Sequence, residues 1–170
     1  MLIAMAGLPG AGKSSLAEEL GRTLAAPVVS VDPIEAALWR AGVARSQPTG
    51  LAAYVVAETV ADGVLALGQT VIVDAVNAVE EAREQWRSLS SRRAVPLVFV
   101  EVVCSDPETH RRRLEGRSRN IEGFFEPTWE AVQRRREEFA AWSENRLTLD
   151  SMGEMSQNIA TALEFLATES

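Results

Sequence analysis

A chain of 170 residues, 46% apolar and 24% charged, has enough material for one compact domain with its own core and shows no bias toward disorder. Its formal charge of −7 argues against long nucleic acid as a partner, because polyanion binders carry a basic excess. The lone Cys104 cannot close an internal disulfide and sits in an apolar run, which fits a reducing, cytoplasmic setting, and neither a secretory leader nor a membrane-spanning segment is expected.

In chain order, apolar runs alternate with amphipathic stretches. Five strands are predicted at 2–6, 27–31, 70–74, 97–103 and 146–149, the middle ones rich in valine as doubly buried strands are. Helices are predicted over 13–25, 33–40, 51–67, 80–91, 107–116, 127–142 and 155–166. Asp32-Pro33, Asp106-Pro107 and Glu126-Pro127 read as helix starts, with proline in a first turn that needs no N–H from it. The rhythm implies an α/β fold in which a parallel sheet is covered by helices on both faces. Residues 1–170 read as one domain, with loops at 41–50 and 118–126 and a lid over 111–125.

The most specific segment is Gly7-Leu8-Pro9-Gly10-Ala11-Gly12-Lys13-Ser14, followed by Ser15, between the first strand and first helix. Glycines let backbone N–H groups curl around phosphates, Lys13 reaches the β- and γ-phosphates, and the Ser14 hydroxyl suits Mg²⁺. Lys13 is also the only lysine in the chain. The pattern points to ATP binding; no guanine-reading run follows the later strands.

Ligands of an open parallel sheet lie beyond the carboxyl ends of its strands, which singles out Asp32 and Asp74. One would accept the proton of a hydroxyl acceptor and the other would help to hold Mg²⁺. Either aspartate fits the base, and each also fits a cap or turn. Asn77 and Arg83 form a candidate substrate-facing cluster with them, or serve as capping and solvent-facing residues. Arg111, Arg112, Arg113, Arg117 and Arg119 concentrate positive charge where a closing loop would stabilise the transferring phosphoryl group, with Arg117 and Arg119 the strongest candidates. Arg111 and Arg112 suit a solvated face equally well. His110, with no ligand partner in sequence, reads as a surface or capping residue. Trp39, Tyr54, Phe124, Phe125 and Trp129 are candidates for an aromatic pocket wall or for core packing.

With Gly7 to Ser14, Ser30-Val31-Asp32, Val73-Asp74-Ala75-Val76-Asn77 and Arg113-Leu114-Glu115-Gly116-Arg117 in view, the chain resembles the small P-loop kinases of the nucleoside-monophosphate-kinase-like group. The nearest branches are AAA-family ATP-binding proteins close to zeta toxin, chloramphenicol phosphotransferase and polynucleotide kinase. The resemblance implies strand order 2-3-1-4-5, Asp32 as general base, Arg113 packed on adenine and Arg117 on phosphate, with adenine near Asp150 to Gly153. No nucleoside-monophosphate, gluconate or shikimate signature accompanies it. The resulting expectation is an Mg²⁺- and ATP-dependent kinase acting on a hydroxyl of a small molecule. A nucleoside or nucleic-acid 5′-end kinase, and a regulatory ATP-binding protein without such an acceptor, are the alternatives.

Overall fold

A computed structural model describes residues 1–117, 121, 126–140, 142 and 145–169, without the side chains of residues 138 and 140. Its elements run β1 (Leu2–Ala6), α1 (Lys13–Leu24), β2 (Val28–Ser30), α2 (Val31–Arg40), α3 (Thr49–Ala66), β3 (Val71–Asp74), α4 (Glu80–Arg93), β4 (Leu97–Val103), α5 (Pro107–Glu115), α6 (Trp129–Ala140), β5 (Leu147–Asp150) and α7 (Met155–Thr168). The five strands form one sheet in the order β2-β3-β1-β4-β5, and every pairing is parallel.

The period of two along each strand divides the interior into two cores. Leu2, Ala4 and Ala6 of β1, with Val71 and Val73 of β3, face the side covered by α3 and α4, where Trp86 and Leu89 join them. Ile3 and Met5, with Ile72, Val98, Val100 and Val102, face α1 and α7. A fully buried valine, leucine or isoleucine contributes about 1.5–3 kcal/mol, set against the cost of ordering the chain. The unbroken apolar register of β1, which is central and wholly buried, anchors the phosphate-loop segment that follows it.

Two boundaries differ from expectation in ways that matter. Strand β2 stops at Ser30, and Val31 and Asp32 already lie in the first turn of α2. Pro33 is tolerated there because that turn has no intrahelical partner for its missing N–H, and the positive end of the helix favours the Asp32 carboxylate. Helix α6 starts at Trp129 rather than Pro127, with the Thr128 hydroxyl accepting from the Ala131 N–H at 3.3 Å.

Helix α3 corrects the expectation that no segment reaches membrane-spanning length. Over its 18 residues it has a mean hydropathy of 1.3, enough by length and composition to cross a membrane. One face, Ala53, Ala57, Ala61 and Leu65, is buried at four-residue spacing against the domain, while Leu51, Val55, Val56 and Val60 lie exposed on the other.

Candidate active site

The segment between β1 and α1 turns sharply around its own backbone. Gly7 sits at φ +143° with Val102 O crowding the place a Cβ would take, and Gly12 caps α1 in the left-handed region at φ +100°. Only glycine takes both positions without strain, so these two residues bring the chain hard against β4 and aim the N-terminus of α1 across the sheet edge. The Gly7 N–H donates to Val76 O at 3.1 Å, tying the loop to the segment after β3.

Lys13 is almost fully buried, and its Nζ lies 3.8 Å from Oδ1 of the equally buried Asp74. That separation is an ion-pair contact without a hydrogen bond. Asp74 Oδ2 accepts from the Ser30 hydroxyl at 3.3 Å, but Oδ1 is buried with no hydrogen-bond partner among the described residues. A buried carboxylate oxygen left in this state is costly and suits a ligand that brings a positive charge or donors. With Ser14 on the wall of the adjoining cleft, the donors fit an Mg²⁺ ion held through one hydroxyl, one carboxylate and water. Among the described residues no group of three or more His, Cys, Asp or Glu side chains forms a self-sufficient metal cage.

Two clefts adjoin the segments that carry this pair, one through Ser14 and the other through Val76. The first, of about 430 Å³, is lined by Gly10, Gly12, Ser14, Ser15, Arg113, Arg117, Ser151 and Gly153, among others. Arg113 donates to Ser151 Oγ at 2.8 Å and Ser151 O at 3.3 Å, which spreads its guanidinium along the loop after β5. Arg117 pairs with Glu126 at 3.3 Å. The backbone turn, both arginines and the 150–153 loop thus converge in one cleft.

The second, of about 480 Å³, is lined by Val31, Asp32, Glu35, Leu51, Tyr54, Val76, Val79, Glu81, Gln85 and Arg135, among others. Burial pushes the Tyr54 phenol up to about 12; the Asn77 N–H and Arg135 act against this, while the negative charges of Asp32 and Asp74 reinforce it. The phenol therefore stands in the field of both candidate carboxylates. Of the five aromatic candidates, Tyr54 is the one that lines this cleft among the described residues. Trp39 donates to Thr49 Oγ1 and carries Arg45 over its ring, and Trp129 packs edge-on against His110. Phe124 and Phe125 lie outside the described residues, as do Arg119 and residues 118–120 and 122–125 of the expected lid.

Asn77 and Arg83 line neither of these two clefts; both are corrected to internal roles. Asn77 takes a left-handed backbone at φ +51°, which asparagine tolerates, and is fully buried. Its Nδ2 donates to Met5 O at 2.7 Å, its Oδ1 accepts from Trp86 Nε1 at 2.8 Å, and its N–H donates to the Tyr54 hydroxyl at 3.2 Å. It therefore fastens β1, α3 and α4 together. Arg83, 3% exposed, donates to Asn77 O and Ala78 O, pairs with Glu80 at 2.8 Å and lies over the Trp142 ring at 4.7 Å. Arg146 covers the same ring at 4.4 Å while pairing with Glu101 at 2.6 Å. Arg111 pairs with Glu115 at 2.7 Å and Arg112 donates to Thr109 at 2.9 Å, which places both on the solvated face of α5.

His110 is likewise corrected: it is buried, with Nε2 2.9 Å from Pro9 O inside the phosphate loop. A carbonyl only accepts, so Nε2 carries the proton and the buried Nδ1 has no hydrogen-bond partner among the described residues. Burial lowers its pKa, and the nearby Arg136 and Arg113 lower it further against the opposing hydrogen bond to Pro9. Sequence reading missed this buttress because its partner lies 101 residues earlier in the chain.

A family model described as an AAA domain matches residues 2–141. The chain belongs to the AAA domain family. The fold recurs in a candidate kinase from Chloroflexus aurantiacus, 18% identical over 96% of each chain with a TM-score of 0.77. It recurs in Kti12 of Chaetomium thermophilum bound to ADP-AlF3, 19% identical over 100% of each chain with a TM-score of 0.75. The Mycobacterium tuberculosis APS kinase CysC with AMPPNP and APS is 18% identical, with 98% of this chain and 96% of that one covered and a TM-score of 0.66. At these identities the likeness shows the P-loop fold. Comparison with curated protein sequences finds no match.

Proposed function

We propose that this AAA-domain protein is an ATP-dependent kinase that moves the γ-phosphoryl group to a hydroxyl of a small molecule. The observation that carries the reading is the buried Lys13–Asp74 pair together with two clefts of different character, one lined by Ser14 beside Lys13 in the chain and the other by Val76 just after Asp74. One has the backbone turn, serines and arginines that suit a nucleoside triphosphate; the other has Asp32, Tyr54 and an apolar wall that suit an acceptor. The APS kinase relative, with AMPPNP and APS bound, is in keeping with two ligands on this fold.

In this reading the loop amides and Lys13 hold the β- and γ-phosphates, while Arg113 packs on the base and Arg117 and Arg119 meet the phosphoryl oxygens. Ser14 and Asp74 would hold Mg²⁺, which neutralises phosphate charge when bound. Asp32 accepts the acceptor proton from its place in the first turn of α2, and Tyr54 orients the hydroxyl beside it. Residues 111–125 close over the transfer and exclude water. Residues 1–170 act as one domain.

The test is transfer of label from γ-³²P ATP to a panel of alcohols, sugars, nucleosides and oligonucleotide 5′ ends, with Lys13→Ala as the blank. Acceptor-dependent, Lys13-dependent labelling is the expected result. ATP binding with only slow, acceptor-independent hydrolysis would replace this reading with the regulatory one.

A further inference from the structure

The Asp32 cleft carries more information about its occupant than the presence of a base. Among the described residues its charged lining is Asp32, Glu35 and Glu81 against Arg135, three carboxylates to one guanidinium. Glu35 Oε1 accepts from the Thr49 hydroxyl at 2.8 Å, a neutral donor that orients the carboxylate without cancelling its charge. Glu81 is exposed in the first turn of α4 and has no ion pair among the described residues. Arg83, the basic residue best placed in sequence to meet an anion here, has its guanidinium occupied by Asn77 O, Ala78 O and Glu80 and stacked on Trp142. Behind the wall, the buried Asp74 carboxylate is balanced by Lys13 at 3.8 Å, so the field of the cleft comes from its own lining, and both Asp32 and Asp74 act on the Tyr54 phenol. Leu51, Val31, Val76 and Val79 supply an apolar surface beside this field.

An acceptor bearing phosphate, sulfate or carboxylate would place like charge among these carboxylates with one arginine to answer it, a costly arrangement in a half-enclosed cleft. A protonated amine is favoured by the same field and supplies the donors that Glu35 and Glu81 accept. We infer that the acceptor is a hydroxyl compound carrying a protonated amine, such as an amino sugar or amino alcohol with an apolar flank. This rests on the kinase reading above and narrows its substrate class. The transfer is unaltered: the acceptor oxygen bonds to the γ-phosphorus as the bond to the β,γ-bridging oxygen breaks, the hydroxyl proton passes to Asp32 and ADP leaves. The ammonium group stays protonated and acts as the handle that positions the hydroxyl.

The experiment compares matched probes in the label-transfer assay: glucosamine, 2-amino-1-phenylethanol and 4-amino-1-butanol, each beside its N-acetyl derivative, with gluconate and adenosine 5′-phosphate as anionic acceptors. The expected result is a kcat/KM at least about tenfold higher for an amine than for its acetylated partner, and no labelling of the anions. Glu81→Gln and Glu35→Gln should each reduce that ratio about threefold or more. Glu81 is exposed, so the first of these leaves the fold intact even if the second does not. Equal or better transfer to the acetylated or anionic compounds overturns the inference while the kinase reading stands. A preference unmoved by Glu81→Gln also overturns the assignment to this cleft. Lack of transfer to any probe, acetylated and anionic ones included, with ATP still bound, overturns the kinase reading and this inference with it.

Discussion

The two clefts beside Lys13 are built by different means. The nucleotide side is made largely of backbone: two glycines in left-handed or crowded positions, a helix N-terminus, and loops after β1 and β5 that approach at Gly12 and Ser151, where Arg113 of α5 is also held. The acceptor side is made of side chains from α2, α3, α4 and α6, which pack on one another and on the sheet edge. A backbone cradle recognises a constant chemical group, whereas a wall of side chains is free to vary with the ligand. The difference explains why the donor is readable in this chain at a glance and the acceptor is not.

The largest expected effect belongs to the shared centre. Lys13→Ala should reduce phosphoryl transfer by about 10³-fold or more, measured by single-turnover label transfer, because the charge on the transferring group loses its buried cation. The same variant leaves Asp74 buried without a cation, so its urea midpoint should fall, by a cost of about 3 kcal/mol. A transfer rate within a few-fold of wild type would remove Lys13 from the phosphate site.

On the acceptor side, Asp32→Asn should lower kcat by about 10²- to 10⁴-fold with ATP affinity unchanged, since it removes a base and leaves the backbone cradle whole. Steady-state kinetics with calorimetric ATP binding separates the two effects. Full activity in this variant would pass the role of base to Asp74.

Asn77→Ala sharpens the comparison by a route that touches neither ligand. It strips the buried partners of Met5 O, Trp86 Nε1 and the left-handed turn, and should cost about 3 kcal/mol in chemical denaturation. Unchanged stability together with a raised KM for the acceptor would restore the substrate-facing role expected from sequence.

The smallest effect is a pH dependence on the nucleotide side. His110 is held neutral in the folded state below its ordinary value of 6.5, so the unfolded chain binds more protons in that window. Stability is complete above pH 6.5 and is lost as pH falls from there through the folded pKa, at no more than about 1.4 kcal/mol per pH unit for one group. Urea midpoints at pH 7.5 and 5.5 should show the drop, and His110→Gln should flatten it. A steeper loss in the variant would assign the transition to another group.

Local chemistry made much of the fold visible in sequence. Valine-rich runs, proline in first turns and a glycine-rich segment between strand and helix placed the five strands and the main helices within a few residues, because each depends on contacts close along the chain. The parallel order β2-β3-β1-β4-β5 followed from resemblance and is observed. The Lys13 candidate came from the glycine-rich segment and Asp74 from the rule that ligands gather at strand ends, and the fold sets them 3.8 Å apart.

The remaining decisions required tertiary structure. Whether Arg83 meets solvent, substrate or Trp142 depends on an aromatic ring 59 positions away in the chain, and no local pattern encodes that packing. Asn77, His110 and Tyr54 are likewise assigned by partners on other elements: Met5 and Trp86, Pro9, and the carboxylates Asp32 and Asp74. By itself the sequence determined the phosphate cradle, since its geometry is a property of consecutive backbone units. The fold alone decided which polar residues remain available to a ligand, since buried donors and acceptors must first be satisfied by whatever the packing brings near them.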